Sequence, residues 1–412
     1  MNKQKNIIFF SFIWHSTFLA ITASMLDLNT VFPALVNSLT ENTLVFGSLL
    51  TIMLGIPLVF NLLFSHFLKK AKSKRNFLLL GIYLRSLSYL GMGIFVYLFA
   101  SDNPWLTIFS IYLFIFIFSI SAGFAGISYN DLIAKSLPDS LDRNKLFTIK
   151  QILSSIAAFL GGLVVTYLFA KDLTYPLNYS IGLMIGFVGL VIASIGFWFV
   201  KEPIEASNQT NQESFITFFK RIPKILKKDF EFRKFIIVDN LSSFGVMIMP
   251  FYMIYAKTQL NVDDYFIGVY LLIILFGKVL SSFFWGFIGK RFNAKRIVGL
   301  CIAVGGLIPI LAIFLGKTNP YIFGIIFFFV GIIISGRQIG FSPYLLDLTP
   351  KEHRLEYLGI RGSLNISIII LPLIAALIIE TLGYSITFII VSIVMLFTSM
   401  FQMHYNKKND LD

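Results

Sequence analysis

Apolar residues in this chain come in long unbroken blocks separated by short polar stretches, and the length of the blocks sets the first expectation. A helix needs roughly 20 mostly apolar residues to cross the hydrocarbon layer of a bilayer. Runs of that kind fall at about 7–36, 44–68, 77–100, 104–134, 147–170, 176–200, 235–256, 265–289, 297–316, 320–346, 358–380 and 384–404. The pattern predicts an all-α membrane protein with twelve spans, because backbone polar groups in lipid must be satisfied within the segment. Lys3 and Lys5 precede the first run as they would in a signal peptide. That run continues past Met25, longer than a signal's apolar region, and reads as a retained first span.

Lys and Arg set the orientation, since they accumulate on cytoplasmic loops. With the N-terminus inside, 28 of the 34 basic residues fall on the inner side and only Lys171, Lys257 and Lys317 on the outer. Arg85, Lys278 and Arg337 lie within spans. Both termini are therefore expected in the cytoplasm, in a multi-pass protein of the cytoplasmic membrane. The longest polar stretch, 201–234, divides the chain into bundles at 1–200 and 235–412. Its middle, Ser207 to Glu213, reads as flexible, and its basic amphipathic part, Phe218 to Lys234, as lying on the inner membrane surface.

Composition agrees. Hydrophobic residues make up 57% of the chain and charged residues 13%, against about 25% charged in soluble domains. The net charge of +13 is accounted for by the inner loops, so no nucleic acid is implied. The single cysteine, Cys301, excludes an internal disulfide. No His/Cys/Asp grouping has ligand spacing, so neither metal nor cofactor is expected. The outer loops are only a few residues long, which leaves little room for the catalytic motifs of a membrane enzyme.

The two bundles repeat each other. Lys69, Lys70, Lys74 and Arg75 after span 2 match Lys290, Arg291, Lys295 and Arg296 after span 8. Tyr129 through Pro138 matches Phe341 through Pro350. Beyond these, Arg143 and Lys150 correspond to Arg354 and Arg361, and Pro33 and Pro250 sit near the outer ends of spans 1 and 7. On these residues the chain resembles the major facilitator superfamily over essentially its whole length. The family loop motif has the form Gly-x-x-x-Asp-Arg-x-Gly-Arg-Arg/Lys. Here the second copy keeps Gly286, Arg291, Lys295 and Arg296 but has Lys290 in place of the acid; the first has Ser65, Lys69 and Lys70 and also lacks it. The exporter arginine is absent from span 4, and the exporter motif of span 5 reads Ala157 to Gly162 without its proline. The resemblance implies alternating access, two six-helix bundles rocking about a site near the bilayer midplane.

Ionisable groups at depth are costly and mark pathways or structural pairs. Asp27, followed by Asn29 and Thr30, lies about twenty residues into span 1. It is either a proton-coupling carboxylate facing the cavity or a cap at the outer end of the span. Asp239, beside Asn240, begins span 7 and is the second proton-coupling candidate. Lys278 sits roughly 16 Å along its helix from the inner end at 1.5 Å per residue, beyond the reach of snorkelling. It needs an anion, either Asp239 on the next span or the solute. Arg337 and Gln338 in span 10 are either solute ligands, since arginine offers a fixed fork to carboxylate or phosphate, or ties between helices. Asn29 and Asn240 complete the candidate solute-binding set. Arg85 reads as part of a structural pair, His15 as a hydrogen-bonded core residue, and the glycines 161, 162, 182 and 186 as close helix packing.

At the inner ends, the resemblance implies that spans 4 and 11, and 5 and 10, meet when the inner side shuts. Cross-bundle pairs Asp131–Arg361 and Lys150–Asp347 are then expected to favour the outward-open state. The alternative is local pairing, such as Asp131 with Lys135.

The reading is a secondary active transporter of a small organic solute, a monomer among membrane lipids, with protons as coupling ion. Proton-driven export (an antiporter, in efflux) is favoured slightly, on Asp27 and an interior rich in aromatics (46 Phe and 17 Tyr). The alternatives are proton-coupled import, or an uncoupled protein such as a lipid scramblase.

Overall fold

The computed structural model describes residues 3–69, 73–137, 139–170, 173–202, 215–291, 293–350, 354–365 and 367–404. Lys70, Pro138 and the Ser207–Glu213 stretch lie outside the described residues.

Long apolar segments form helices throughout, and the polar residues between them stop and start each one. Lys3–Met25 (α1) and Val31–Leu39 (α2) make span 1, Thr43–Lys69 (α3) span 2, Lys74–Phe99 (α4) span 3, Pro104–Ser136 (α5) span 4, Ser140–Ala170 (α6) span 5 and Leu177–Trp198 (α7) span 6. Phe215–Lys228 (α8) is the amphipathic helix between the halves. Phe230–Ile248 (α9) and Phe251–Gln259 (α10) make span 7, Tyr265–Arg291 (α11) span 8, Ala294–Leu315 (α12) span 9 and Pro320–Leu348 (α13) span 10. Arg354–Leu364 (α14) and Ser367–His404 (α15) complete the chain.

The repeat extends to the caps. Asn103 and Asn319 each accept from the backbone three residues on, ahead of a proline, to begin α5 and α13. An asparagine satisfies a free N–H of the first turn while proline, with no N–H to lose, sets the helical φ. Ser73 and Asn293 cap α4 and α12 in the same way.

Among the described residues, eleven helical runs are long and apolar enough to cross a membrane. The last run, Tyr357–Met403, has 47 residues divided between α14 and α15, about 70 Å if straight, or more than twice the roughly 30 Å of hydrocarbon. α15 turns at Gly383, whose φ of 82° and ψ of 169° suit only glycine, so that α14 and α15 together supply spans 11 and 12.

Spans 1 and 7 are not the single helices expected. Span 1 breaks between Met25 and Val31, where Asp27 Oδ1 accepts from the Asn29 N–H and the Thr30 hydroxyl, both at 2.9 Å. A short polar side chain bonding its own backbone competes with the helix ladder. Span 7 breaks at Met249–Pro250, where proline lacks the donor that would continue it. Both outer fragments, α2 and α10, are buried along most of their length and pack on each other across the two halves.

The halves also meet along α3 with α15 and along α6 with α11. Small residues allow the close approach: an added Cβ on Gly162 would meet Leu272 at 2.8 Å, and one on Gly268 would fall onto the Thr166 backbone. The bundle has two distinct ends: a basic end, carrying Lys74, Lys295 and α8, and an opposite or far end.

Candidate functional site

Asp239 is the most enclosed acid among the described residues, with no exposed surface. Arg361 Nε donates to its Oδ2 at 2.7 Å and Arg337 approaches Oδ1 at 3.4 Å. Asn365 Nδ2 donates to Oδ2 at 3.2 Å. Arg337 also donates to the Ser242 hydroxyl at 2.8 Å and lies 4.2 Å from the centre of the Phe341 ring. Two cations on one carboxylate tie α9, α13 and α14 together at one level. Asn240 joins from the next position, donating to the Ile236 carbonyl at 2.9 Å and to Asn365 Oδ1 at 3.4 Å. Gln338 is exposed.

The expected pairing of Lys278 with Asp239 is not what the structure holds. Spans 7 and 8 do not pack on each other: α9 packs on α15 and α13, whereas α11 packs on α13 and on α6 of the other half. Lys278 therefore faces the first half, and the acid within its electrostatic reach is Asp27. No direct bond joins the two. Asp27 Oδ1 is held by the helix break, and Asn29 beside it is half-buried.

In the first half, Arg85 has no acidic partner among the described residues. Its guanidinium lies 5.3 Å from the centre of the Phe118 ring and its buried Nε has no hydrogen-bond partner. The structural pair expected of it is thus a ring contact rather than an ion pair. His15 packs at 4.9 Å from the Phe197 ring and 5.9 Å from Tyr129, and its Nδ1 is buried without a partner. The Lys150 ammonium donates to the Tyr129 hydroxyl at 3.2 Å and sits 5.1 Å from that ring.

Among the described residues, the four basic-end candidates find partners within their own halves or none. Asp131 pairs with Lys135 at 2.8 Å, Arg361 with Asp239, and Lys150 with Tyr129. Asp347 is exposed. Neither cross-bundle pair is formed in this conformation. At the far end, by contrast, the halves are bonded. Glu380 of α15 accepts from the Thr43 hydroxyl at 2.5 Å and its N–H at 3.2 Å. Asn178 donates to Asp264 at 3.4 Å, and Phe46 meets Phe251 edge-on at 5.2 Å.

Sequence reasoning passed over several of these groups. Asn365 and Ser242 follow Arg361 and Asp239 at helical spacing, so each could have been found as the polar neighbour on the same face. Glu202 was hidden in the linker. It accepts from the backbone N–H groups of Lys74 and Arg75, both at 3.0 Å, and from the Ser73 hydroxyl at 3.1 Å. A carboxylate at the free N–H groups of a helix start is favoured, and here it anchors the loop whose own motif lacks an acid. In the second half Glu231 lies 3.6 Å from the Lys295 ammonium, an ion pair with the side chain rather than with the backbone.

Three comparisons bear on this arrangement. No curated protein matches the chain. Among solved structures, a POT family transporter in complex with a thioalcohol-conjugated peptide superposes with a TM-score of 0.70 at 14% identity, covering 98% of this chain and 96% of the other. The D-xylose-proton symporter gives 0.68 at 12%, covering 97% and 96%, and the nucleoside transporter NupG 0.64 at 14%, covering 98% and 99%. At such identities these likenesses show the fold. The model of the family described as Major Facilitator Superfamily matches residues 13–255 and 235–407, and with that span the chain belongs to the major facilitator superfamily.

Proposed function

We propose that this transporter carries a small organic solute by alternating access, coupled to protons at Asp27, and that the conformation described is open toward the basic, cytoplasmic end. The observation that carries the reading is that Asp27, at the break between α1 and α2, and Lys278, on α11, stand on opposite halves where α11 packs against α2 and α6, within electrostatic reach of each other. A carboxylate facing a lysine across the moving interface links protonation to the charge available for solute. When Asp27 takes a proton, Lys278 loses its counter-charge and is left to bind the solute. When Asp27 gives the proton up, the lysine is drawn back. A ligand shifts a two-state balance only by its differential affinity for the two states, and a charge pair split between the halves has that property. Proton and solute then travel together, which supports symport. The likeness to a xylose-proton symporter agrees with this.

A second reading is export in exchange for protons. It is supported by Tyr129, whose half-buried ring is backed edge-on by the core residues Phe12 at 5.0 Å and Phe197 at 6.2 Å and would offer an aromatic face to a weakly polar solute.

One assay separates them. The protein is reconstituted in liposomes containing a trapped pH dye, and solutes from a metabolite panel are added outside. Symport acidifies the lumen on addition of the transported solute, and exchange makes it alkaline. Asp27→Asn abolishes the pH change in either case. Solute entry without any lumenal pH change, or an unaltered response in Asp27→Asn, refutes coupling at Asp27. Lipid movement in the absence of any gradient would instead mark a scramblase.

A further inference from the structure

We propose that the first half carries a binding site for an anionic group, built by Arg85 and Lys150 across the α5 face between Phe118 and Tyr129, and that the solute bears a carboxylate or phosphate. The inference rests on the transport reading above and names its substrate class.

The charges come first. Arg85 stands eleven residues from the start of α4, at membrane depth, with an aromatic ring beneath it and no acidic partner among the described residues. A cation there is costly unless something neutralises it, and an isolated buried charge is far costlier than a paired one. Lys150, on α6, likewise rests on aromatic rings, 5.1 Å from Tyr129 and 4.8 Å from Phe147. His15 lies within electrostatic reach of both, so the three groups share one neighbourhood.

The second observation is space. Phe118, Ala122, Gly126 and Tyr129 fall on one face of α5 at intervals of four and three residues, neighbours on a helix surface. A Cβ added to Gly126 would meet nothing within 4 Å. The two rings that carry the cations therefore flank an open position. A void beside two uncompensated cations is not a lipid-facing groove, because hydrocarbon excludes such charges. It is the wall of an aqueous vestibule. Fixed positive charge in a low-dielectric cleft concentrates anions, and the arginine fork fits the paired oxygens of a carboxylate or phosphate.

Lys150 also ties the site to the gate. In this conformation it bonds Tyr129 and is held beside the vestibule, whereas the expected pairing with Asp347 on closure of the basic end would withdraw it.

The test uses full-length protein in lipid nanodiscs carrying Gly126→Cys, with the buried Cys301 as the sole other thiol. Two water-soluble methanethiosulfonates are compared, one bearing a sulfonate and one a trimethylammonium. Each rate is normalised to that with a small free thiol. The sulfonate is expected to react about tenfold faster or more, in the range by which focused fields raise local ion concentration. That preference falls toward equality in Arg85→Gln and Lys150→Gln, and returns in Arg85→Lys. Succinate or inorganic phosphate slows the labelling, and neutral succinamide does not. Ala122→Cys gives the same readout if Gly126→Cys folds poorly. No labelling by either reagent, or equal rates for both, overturns the proposal. The labelling needs no transport, so its failure leaves the Asp27 assay standing, and loss of coupling at Asp27 leaves a charge-selective site intact.

Discussion

Arg361 donates to Asp239 at 2.7 Å, although the sequence placed one at the helix ends of a gate and the other at a coupling site. Asp239 has no exposed surface and also holds Arg337 and Asn365. Its removal leaves two arginines without their anion. Breaking a buried pair in this way costs about 3–5 kcal/mol. Asp239→Asn is therefore expected to lower the thermal unfolding midpoint in nanodiscs markedly, and Arg361→Gln to do so less, because Arg337 still neutralises the acid. An unshifted midpoint in Asp239→Asn would show that the cluster is not structural.

The far end is latched by Glu380 on Thr43. Hydrogen bonds to a charged group contribute about 1.5–3 kcal/mol, so Glu380→Ala should move the balance toward the outward-open state by about tenfold or more. Labelling of Asn29→Cys by an impermeant reagent added to the far side reports this. An unchanged labelling rate would mean that the aromatic contact of Phe46 with Phe251 suffices to hold the end shut.

The gate makes a separate prediction. Lys150→Cys with Asp347→Cys should form a disulfide under oxidation only when the basic end closes. The crosslinked form should appear on oxidation as a species lacking both free thiols, and reductant should return the free dithiol. If oxidation yields no crosslink, α6 and α13 do not meet at these positions.

Glu202 anchors the start of α4 through two backbone N–H groups and the Ser73 hydroxyl. Loss of a helix cap costs about 0.5–2 kcal/mol. Glu202→Ala should therefore lower the unfolding midpoint slightly, while Glu202→Asp keeps part of it. A fall as large as that of Asp239→Asn would point to a wider role for this loop in joining α4 to α7.

The charge clusters divide between what was legible and what was not. That Asp27, Asp239, Lys278 and Arg337 would each need a partner came from their depth in apolar runs. Which partner each one took did not. Lys278 meets the field of Asp27 because α11 packs on α2 and α6, and Asp239 takes Arg361 because α14 lies beside α9, where Tyr357 also meets Phe232 and Asp229. Arg85 was read as part of a structural pair. Its unpaired Nε, and the open position at Gly126, emerge only once α4 and α5 are docked.

The sequence alone determined the all-helical fold, the twelve crossings, the repeat and the family, since these depend on local quantities: run length, charge placement and spacing along one chain. It did not determine the broken spans 1 and 7, the closed far end, or the choice of ion pairs. Those depend on which helices become neighbours, and in a bundle of apolar rods that choice rests on side-chain packing between segments hundreds of residues apart. Glu380 accepting from Thr43 across 337 positions is a contact of that kind.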